Sequence, residues 1–303
     1  MDLSVDINGL KLANPVMTAS GTFGYASEYK NLVNINGLGG VIVKGLSLNP
    51  SIGNPSPRVV ETACGLLNAV GLENVGVKAF IKDKLPFLKT LVPPVFVNIY
   101  GKTIDEYGEL AAIINRLDGI AGIEVNISCP NVTAGGAAFG VDPVAAARVV
   151  QQVRQCTSKH VMVKLSPNVT DIVQIAKAVE EAGADSISLI NTLTGLAIDS
   201  ETFSPLLANV TGGLSGPAIK PVALRMVWQV AQNVKIPVIG IGGIATASDA
   251  LEFIIAGATA VQVGTAVLVD PDCLGKIVKG ISTFLKRKGF TSLGQIRGVL
   301  KTS

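Results

Sequence analysis

Histidine is almost absent from this chain: its 303 residues include one, His160. That residue precedes a predicted strand, away from any cleft at a carboxyl end, which argues against histidine acid–base chemistry and histidine-rich metal sites. Cysteine is sparse too. Cys64, Cys129, Cys156 and Cys273 lie far apart, without the paired spacing of a zinc or iron–sulfur site. Charged residues make up only 16%, and 25 Lys and Arg against 22 Asp and Glu leave a net charge of +3. That balance is too small to attract nucleic acid, and no basic run interleaved with aromatics appears. No apolar stretch approaches the roughly 20 residues that cross a bilayer. Asp2 and Asp6 interrupt the amino terminus where a signal peptide would be apolar. Free thiols without an export signal suit a reducing compartment, so a cytoplasmic protein is expected, with no membrane partner.

What the chain has in quantity is apolar surface, at 48% of residues. That is enough for one large barrel or two ordinary domains, and it carries no disorder signature. Val- and Ile-rich runs alternate with helical patterns from end to end. The strand candidates are 15–19, 40–43, 95–99, 123–127, 161–165, 186–190, 237–241 and 260–263. Their hydrophobicity is continuous rather than alternating, as in a parallel sheet buried on both faces. Helix starts are marked by Thr103 with Glu106, by Asp142 before Pro143, and by Thr170 and Thr246; Gly183 and Gly257 mark helix ends.

About eight such units, in a chain somewhat above the ~250 residues typical of the fold, predict an α/β protein of the (β/α)8 TIM-barrel class. An open doubly wound sheet is the alternative. Asn8-Gly9 predicts a small N-terminal hairpin that plugs the barrel. Residues 49–57, two short strands near 58–62 and 65–68, and the Gly-, Thr- and Ser-rich span 191–221 are expected as excursions at the C-terminal rim. The last of these has no sustained periodicity and reads as a lid. No linker is visible, so residues 1–303 are expected to form a single domain.

In this fold the chemistry sits beyond the carboxyl ends of the strands. Those ends read Ser20-Gly21, Lys44-Gly45, Asn98, Asn126, Lys164, Asn191-Thr192, Gly242-Gly243 and Gly264-Thr265. Each is polar or glycine. Any one could be a hydrogen-bonded loop cap, but all of them together imply a site. The turns after strands 7 and 8, Gly242-Gly243 and Gly264-Thr265, expose backbone amides before helices, as a mononucleotide phosphate requires. Lys44 and Lys164 are charges at the barrel mouth that need an anionic partner, and the pyrimidine side of a reduced flavin would supply one. Asn126-Ile127-Ser128-Cys129-Pro130-Asn131 puts a thiol on a loop stiffened by proline, just past a strand. An isolated cysteine is most often a core residue. With no histidine available, Cys129 is the natural proton carrier.

Four motifs now combine. The segment 126–131, Asn68-Ala69-Val70-Gly71-Leu72, Gly212-Gly213-Leu214-Ser215-Gly216-Pro217 and Ile241-Gly242-Gly243-Ile244 together resemble the dihydroorotate dehydrogenase family over essentially the whole chain. Cysteine at 129 and the absence of an amphipathic extension resemble the soluble class 1 enzymes. The sequel from Ala134 to Gly140 resembles the NAD-linked subclass, 1B. The resemblance implies FMN, one per chain, at Ser20, Lys44, Gly45, Asn98, Asn126, Lys164, Ile190, Gly216, Gly242, Gly243, Gly264 and Thr265. It implies dihydroorotate at Lys44, Asn68, Ala69, Val70, Gly71, Leu72, Asn126, Asn191 and Thr192, with Cys129 as the base.

The implied reaction is oxidation of dihydroorotate to orotate in pyrimidine biosynthesis, with no metal on this chain. Electrons would pass through a partner subunit carrying FAD and a [2Fe-2S] cluster to NAD, with a homodimer core inside a heterotetramer. Cys64 departs from the family pattern, where a small residue without a thiol is expected. A fumarate-linked class 1A enzyme, a dihydropyrimidine dehydrogenase acting on uracil-type rings and a flavin-free phosphosugar enzyme are the competing readings.

Overall fold

The computed structural model describes residues 1–128 and 139–301. Cys129, Pro130 and Asn131 lie outside the described residues, as does the 134–138 part of the subclass motif. The chain begins with a hairpin, β1 (Val5–Asp6) against β2 (Lys11–Leu12). Asn8 and Gly9 turn it with φ of 59° and 88°, the left-handed pair that suits the twist of a hairpin. Ile7 and Leu12 pack against Met17, Ile42, Phe96, Met162, Ile239 and Ala260, one apolar layer drawn from six barrel strands. The hairpin is the expected plug.

The barrel strands are β3 (Val16–Thr18) and β4 (Val41–Leu46) and, after the rim hairpin β5 (Val59–Thr62) and β6 (Gly65–Asn68), β7 (Val95–Ile99), β8 (Gly122–Asn126), β9 (His160–Lys164) and β10 (Ser186–Leu189). Rim strands β11 (Leu193–Leu196), β12 (Ile198–Asp199), β13 (Ser204–Pro205) and β14 (Thr211–Ser215) precede the last two barrel strands, β15 (Val238–Ile241) and β16 (Ala260–Val263). The eight-stranded sheet runs β3-β16-β15-β10-β9-β8-β7-β4, all parallel, which is the chain order of a (β/α)8 barrel. The seam between β3 and β4 is closed by a bridge at Met17–Gly40 and by one side chain. The Thr18 hydroxyl accepts from the Ile42 amide at 2.8 Å and donates to the Ile42 carbonyl at 3.0 Å. Gly39 permits that approach, since a Cβ there would lie 1.8 Å from the Asn14 carbonyl oxygen.

Helices α1 (Gly76–Ala79), α2 (Leu85–Leu88), α3 (Ile104–Asn115), α4 (Pro143–Cys156), α5 (Ile172–Glu181), α6 (Lys220–Ala231), α7 (Ala247–Ile255), α8 (Ala266–Val269) and α9 (Cys273–Lys288) surround the strands. Thr103, Asp142 and Thr246 cap α3, α4 and α7 through their side chains, as their spacing predicts. Thr170 does not cap α5. Asp171, one residue on, is the N-cap and accepts the Val173 amide instead.

Two further expectations change. After β3 the chain makes single 3-10 turns at Ser27–Tyr29 and Ile35–Gly37 where a full helix is expected. The span 191–221 is not a lid without structure: β11 and β14 join the β5–β6 hairpin in a four-stranded antiparallel sheet, β11-β14-β6-β5. Its glycines read as loop, yet they are what the pairing needs. A Cβ at Gly212 would sit 2.7 Å from the Asn68 carbonyl oxygen, and one at Gly213 would sit 2.1 Å from Thr192 Oγ1.

Candidate active site

Between the carboxyl ends of the barrel strands and the rim sheet lies a cavity of about 1040 Å³. Its floor carries the cations. Lys164 ends β9 and is 6% exposed, and its Nζ reaches Ser20 Oγ at 3.4 Å, across from the end of β3. Lys44 lines the same cavity from β4 and is partly buried. Among the described residues neither ammonium has a carboxylate within 4 Å. Lys220 shows the contrast. It stands behind the cavity wall and is held by Asp249 at 2.6 Å and Glu252 at 3.0 Å, and its pKa is raised by the hydrogen bond to Asp249 above all.

The amides are partly committed. Asn126 Oδ1 accepts the Ser128 amide at 3.1 Å and Asn191 Nδ2 at 3.4 Å, and among the described residues nothing takes up Asn126 Nδ2. Tyr107, from α3, donates to the Asn126 carbonyl at 2.8 Å and holds the end of β8 in place. Asn68 Nδ2 donates to the Gly213 carbonyl at 3.1 Å, so its Oδ1 remains as an acceptor. The Asn191 Oδ1 accepts the Thr192 amide at 2.8 Å. Three asparagines thus offer a mixed donor and acceptor edge of the kind a pyrimidine imide matches.

On the opposite wall are the glycine turns. Gly243 has φ of 71°, and a Cβ there would meet Lys220 Cβ at 2.7 Å and the Gly216 carbonyl oxygen at 2.9 Å. Gly242, with φ of 126°, would meet Ala223 Cβ at 2.7 Å. Only glycine lets this backbone lie bare toward the cavity. Gly264 has an ordinary 3.4 Å contact and is open, while the Thr265 hydroxyl donates to Ser215 Oγ at 2.8 Å.

Every expected cofactor and substrate position that falls within the described residues lines this one cavity. Ser20, Gly45, Asn98 and Ile190 lie at the strand ends, Gly216 in the turn after β14, and Asn68 to Leu72 along the rim. Cys129 lies outside the described residues, and Ser128, the residue before it, lines the cavity. His160 is elsewhere. Its Nε2 contacts Ser186 Oγ at 2.8 Å, its ring sits edge-on to Phe96, and burial pushes its pKa down to about 4. Cys64, the departure from pattern, is exposed at the β5–β6 turn on the cavity rim. Cys273 also reaches the cavity, but burial pushes its thiol up to about 11, which suits packing rather than reaction.

One residue escaped the sequence reading. Glu124, inside what reads as an apolar run, is wholly buried in the barrel and bonded to Asn98, Ser188 and Gln262. The signal was there: a carboxylate two residues before the Asn126 that ends the strand, and so on the same face. Among the described residues no cluster of acidic, histidine or cysteine side chains could hold a metal, and no helix is long and apolar enough to cross a membrane.

The family model described as Dihydroorotate dehydrogenase matches residues 2–285. The chain is similar to the "Dihydroorotate dehydrogenase B (NAD(+)), catalytic subunit" of Geotalea uraniireducens (strain Rf4), with 60% identity over 301 residues and 99% of each chain covered. The protein of that name from Geotalea daltonii is 61% identical over 300 residues, 99% of this chain and 98% of the relative. The one from Geobacter sulfurreducens is 59% identical over the same length, with the same coverage.

Proposed function

Since this chain belongs to the dihydroorotate dehydrogenase family, we propose that it oxidises dihydroorotate to orotate in the cavity above the barrel, as the catalytic subunit of an NAD-linked enzyme. The observation that carries the reading is Lys164: a buried ammonium with no carboxylate partner among the described residues, at the floor of a cavity walled by amides and bare glycine turns. A buried cation in that state is costly unless a ligand brings the negative charge.

FMN fits this donor set. Gly242, Gly243, Gly264 and Thr265 would hold its phosphate. Ser20, Gly45, Asn98, Asn126, Ile190 and Gly216 would frame the ring, with Lys164 and Lys44 at its electron-rich side. When bound, FMN supplies the hydride acceptor. Lys44 would neutralise the substrate carboxylate, with Asn68 to Leu72, Asn126, Asn191 and Thr192 orienting the pyrimidine ring. Cys129 takes the proton from ring carbon C5. A thiol with a reference pKa of about 8.5 is a minor thiolate at neutral pH, so turnover should climb toward alkaline pH.

The relatives' names favour NAD as the final acceptor over fumarate, and "catalytic subunit" favours a second subunit, here proposed to carry FAD and a [2Fe-2S] cluster and to join a homodimer core. A cytoplasmic single-domain protein is part of the same reading. The test is an acceptor assay on the FMN-loaded chain alone. Dihydroorotate should support turnover with an artificial dye but reduce no NAD until the partner is added. Efficient fumarate reduction by the lone chain would contradict the NAD-linked reading.

A further inference from the structure

Glu124 lies on β8 with no solvent exposure, between apolar neighbours. Its Oε2 accepts Asn98 Nδ2 at 2.6 Å, and its Oε1 accepts Ser188 Oγ at 2.9 Å and Gln262 Nε2 at 2.7 Å. Among the described residues no cation lies within 4 Å of it. Two of its three donors are amide nitrogens, which cannot accept, so the arrangement suits a carboxylate. A buried carboxyl is tolerable only when donors meet both its oxygens, and an amide whose nitrogen is bonded to it is held in that orientation.

The member that matters is Asn98. With Nδ2 turned down to Glu124, its Oδ1 lies beside Gly45, 3.0 Å from where a Cβ on that residue would stand, at the cavity floor. Flipping the amide would set Oδ1 against the carboxylate, two acceptors with no proton between them. Glu124 therefore dictates that Asn98 shows the cavity an acceptor.

We propose that Glu124 is a positioning residue of the cofactor site, holding Asn98 as the acceptor for the imide N–H of a bound isoalloxazine. This rests on the flavin reading above and adds to it the polarity of one contact. The geometry also provides a swap. Asn98→Asp alone faces Glu124 with a second carboxylate. Glu124→Gln in the same chain turns an N–H toward Asp at 98, while its oxygen still accepts from Ser188 and Gln262. The acceptor at 98 is then held in place again, whereas in the single variant repulsion from Glu124 drives it out of position.

The experiment titrates FMN into the deflavinated wild type, Asn98→Asp and the double variant Asn98→Asp/Glu124→Gln, with a thermal melt of each apoprotein beside it. Asn98→Asp is expected to lose at least about tenfold in FMN affinity, and the double variant to return to within about threefold of wild type. A purely structural Glu124 would move the melts and leave the affinities alone. Asn98→Asp that folds and binds FMN like wild type overturns the proposal. So does a double variant that melts like wild type yet binds as weakly as the single. If Asn98→Asp does not fold, the double variant decides: recovery to within about threefold supports the swap, and a loss beyond about tenfold overturns it. Wild type that takes up no FMN overturns the flavin reading and the proposal with it, whereas a wild type that binds while the swap fails overturns the proposal alone.

Discussion

Lys164 and Ser20 are 144 residues apart in sequence, yet Nζ and Oγ meet at 3.4 Å across the mouth of the barrel. That contact ties β9 to the end of β3 and sets the only partner of the Lys164 ammonium among the described residues. A hydroxyl does not neutralise a charge. The site is therefore poised for an anion.

Replacing that lysine separates binding from folding. Lys164→Met should weaken FMN binding by about tenfold or more, as expected for loss of a charge-assisted contact. The apoprotein should melt at the same temperature or higher, because a buried unpaired charge is removed. Fluorescence titration with FMN and a melt of the apoprotein read the two effects independently.

Lys44 distinguishes the substrates. Lys44→Ala should raise KM for dihydroorotate by about tenfold to a hundredfold if the ammonium meets the substrate carboxylate. Steady-state kinetics with dihydroorotate and with a dihydropyrimidine lacking the carboxylate make the comparison. A variant that handles dihydroorotate unchanged would support a uracil-type substrate.

The two glycine turns should respond differently. Gly243→Ala places a Cβ 2.7 Å from Lys220 Cβ at a φ of 71°, so it should cost about 1–3 kcal/mol of stability as well as cofactor binding. Gly264→Ala meets nothing closer than 3.4 Å and should melt like wild type. Its loss, if its amide serves the phosphate, should appear only in FMN affinity. Melting curves and FMN titrations on the two variants check both statements.

His160 gives the fold a pH dependence apart from the chemistry. Burial lowers its pKa from 6.5 to about 4, with Asp185 opposing the shift and Arg154 adding to it. The unfolded chain thus takes up the proton first as pH falls. Stability is full above pH 6.5 and declines toward pH 4, by at most about 3 kcal/mol from this group. His160→Gln should flatten that part of the curve, measured as the difference in melting temperature between the two proteins from pH 7 to 4.5.

Much of this was legible because a parallel barrel leaves a strong imprint. Strands buried on both faces become apolar runs, and β7 and β16 span the residues those runs predict. The glycines and amides at the strand ends could be read because the fold requires its site there. Other features depend on partners distant in sequence. The rim strands β11 and β14 are held by pairing with each other and with β6, so their glycine-rich segment carries no local strand pattern. Glu124 reads as an anomaly in an apolar strand until Asn98, Ser188 and Gln262 are seen around it. The first barrel unit makes 3-10 turns in place of a full helix, and Phe23 and Tyr29 stack there at 4.4 Å, a contact that residue periodicity does not reveal.

The most direct measurement adds dihydroorotate, without oxygen, to the purified chain reconstituted with FMN and follows the visible flavin absorbance. The wild type should turn yellow with FMN and bleach on adding the substrate, and Cys129→Ala should bind the flavin but bleach far more slowly. A chain that binds FMN and stays yellow with dihydroorotate, or a Cys129→Ala variant that bleaches as fast as wild type, would contradict the account.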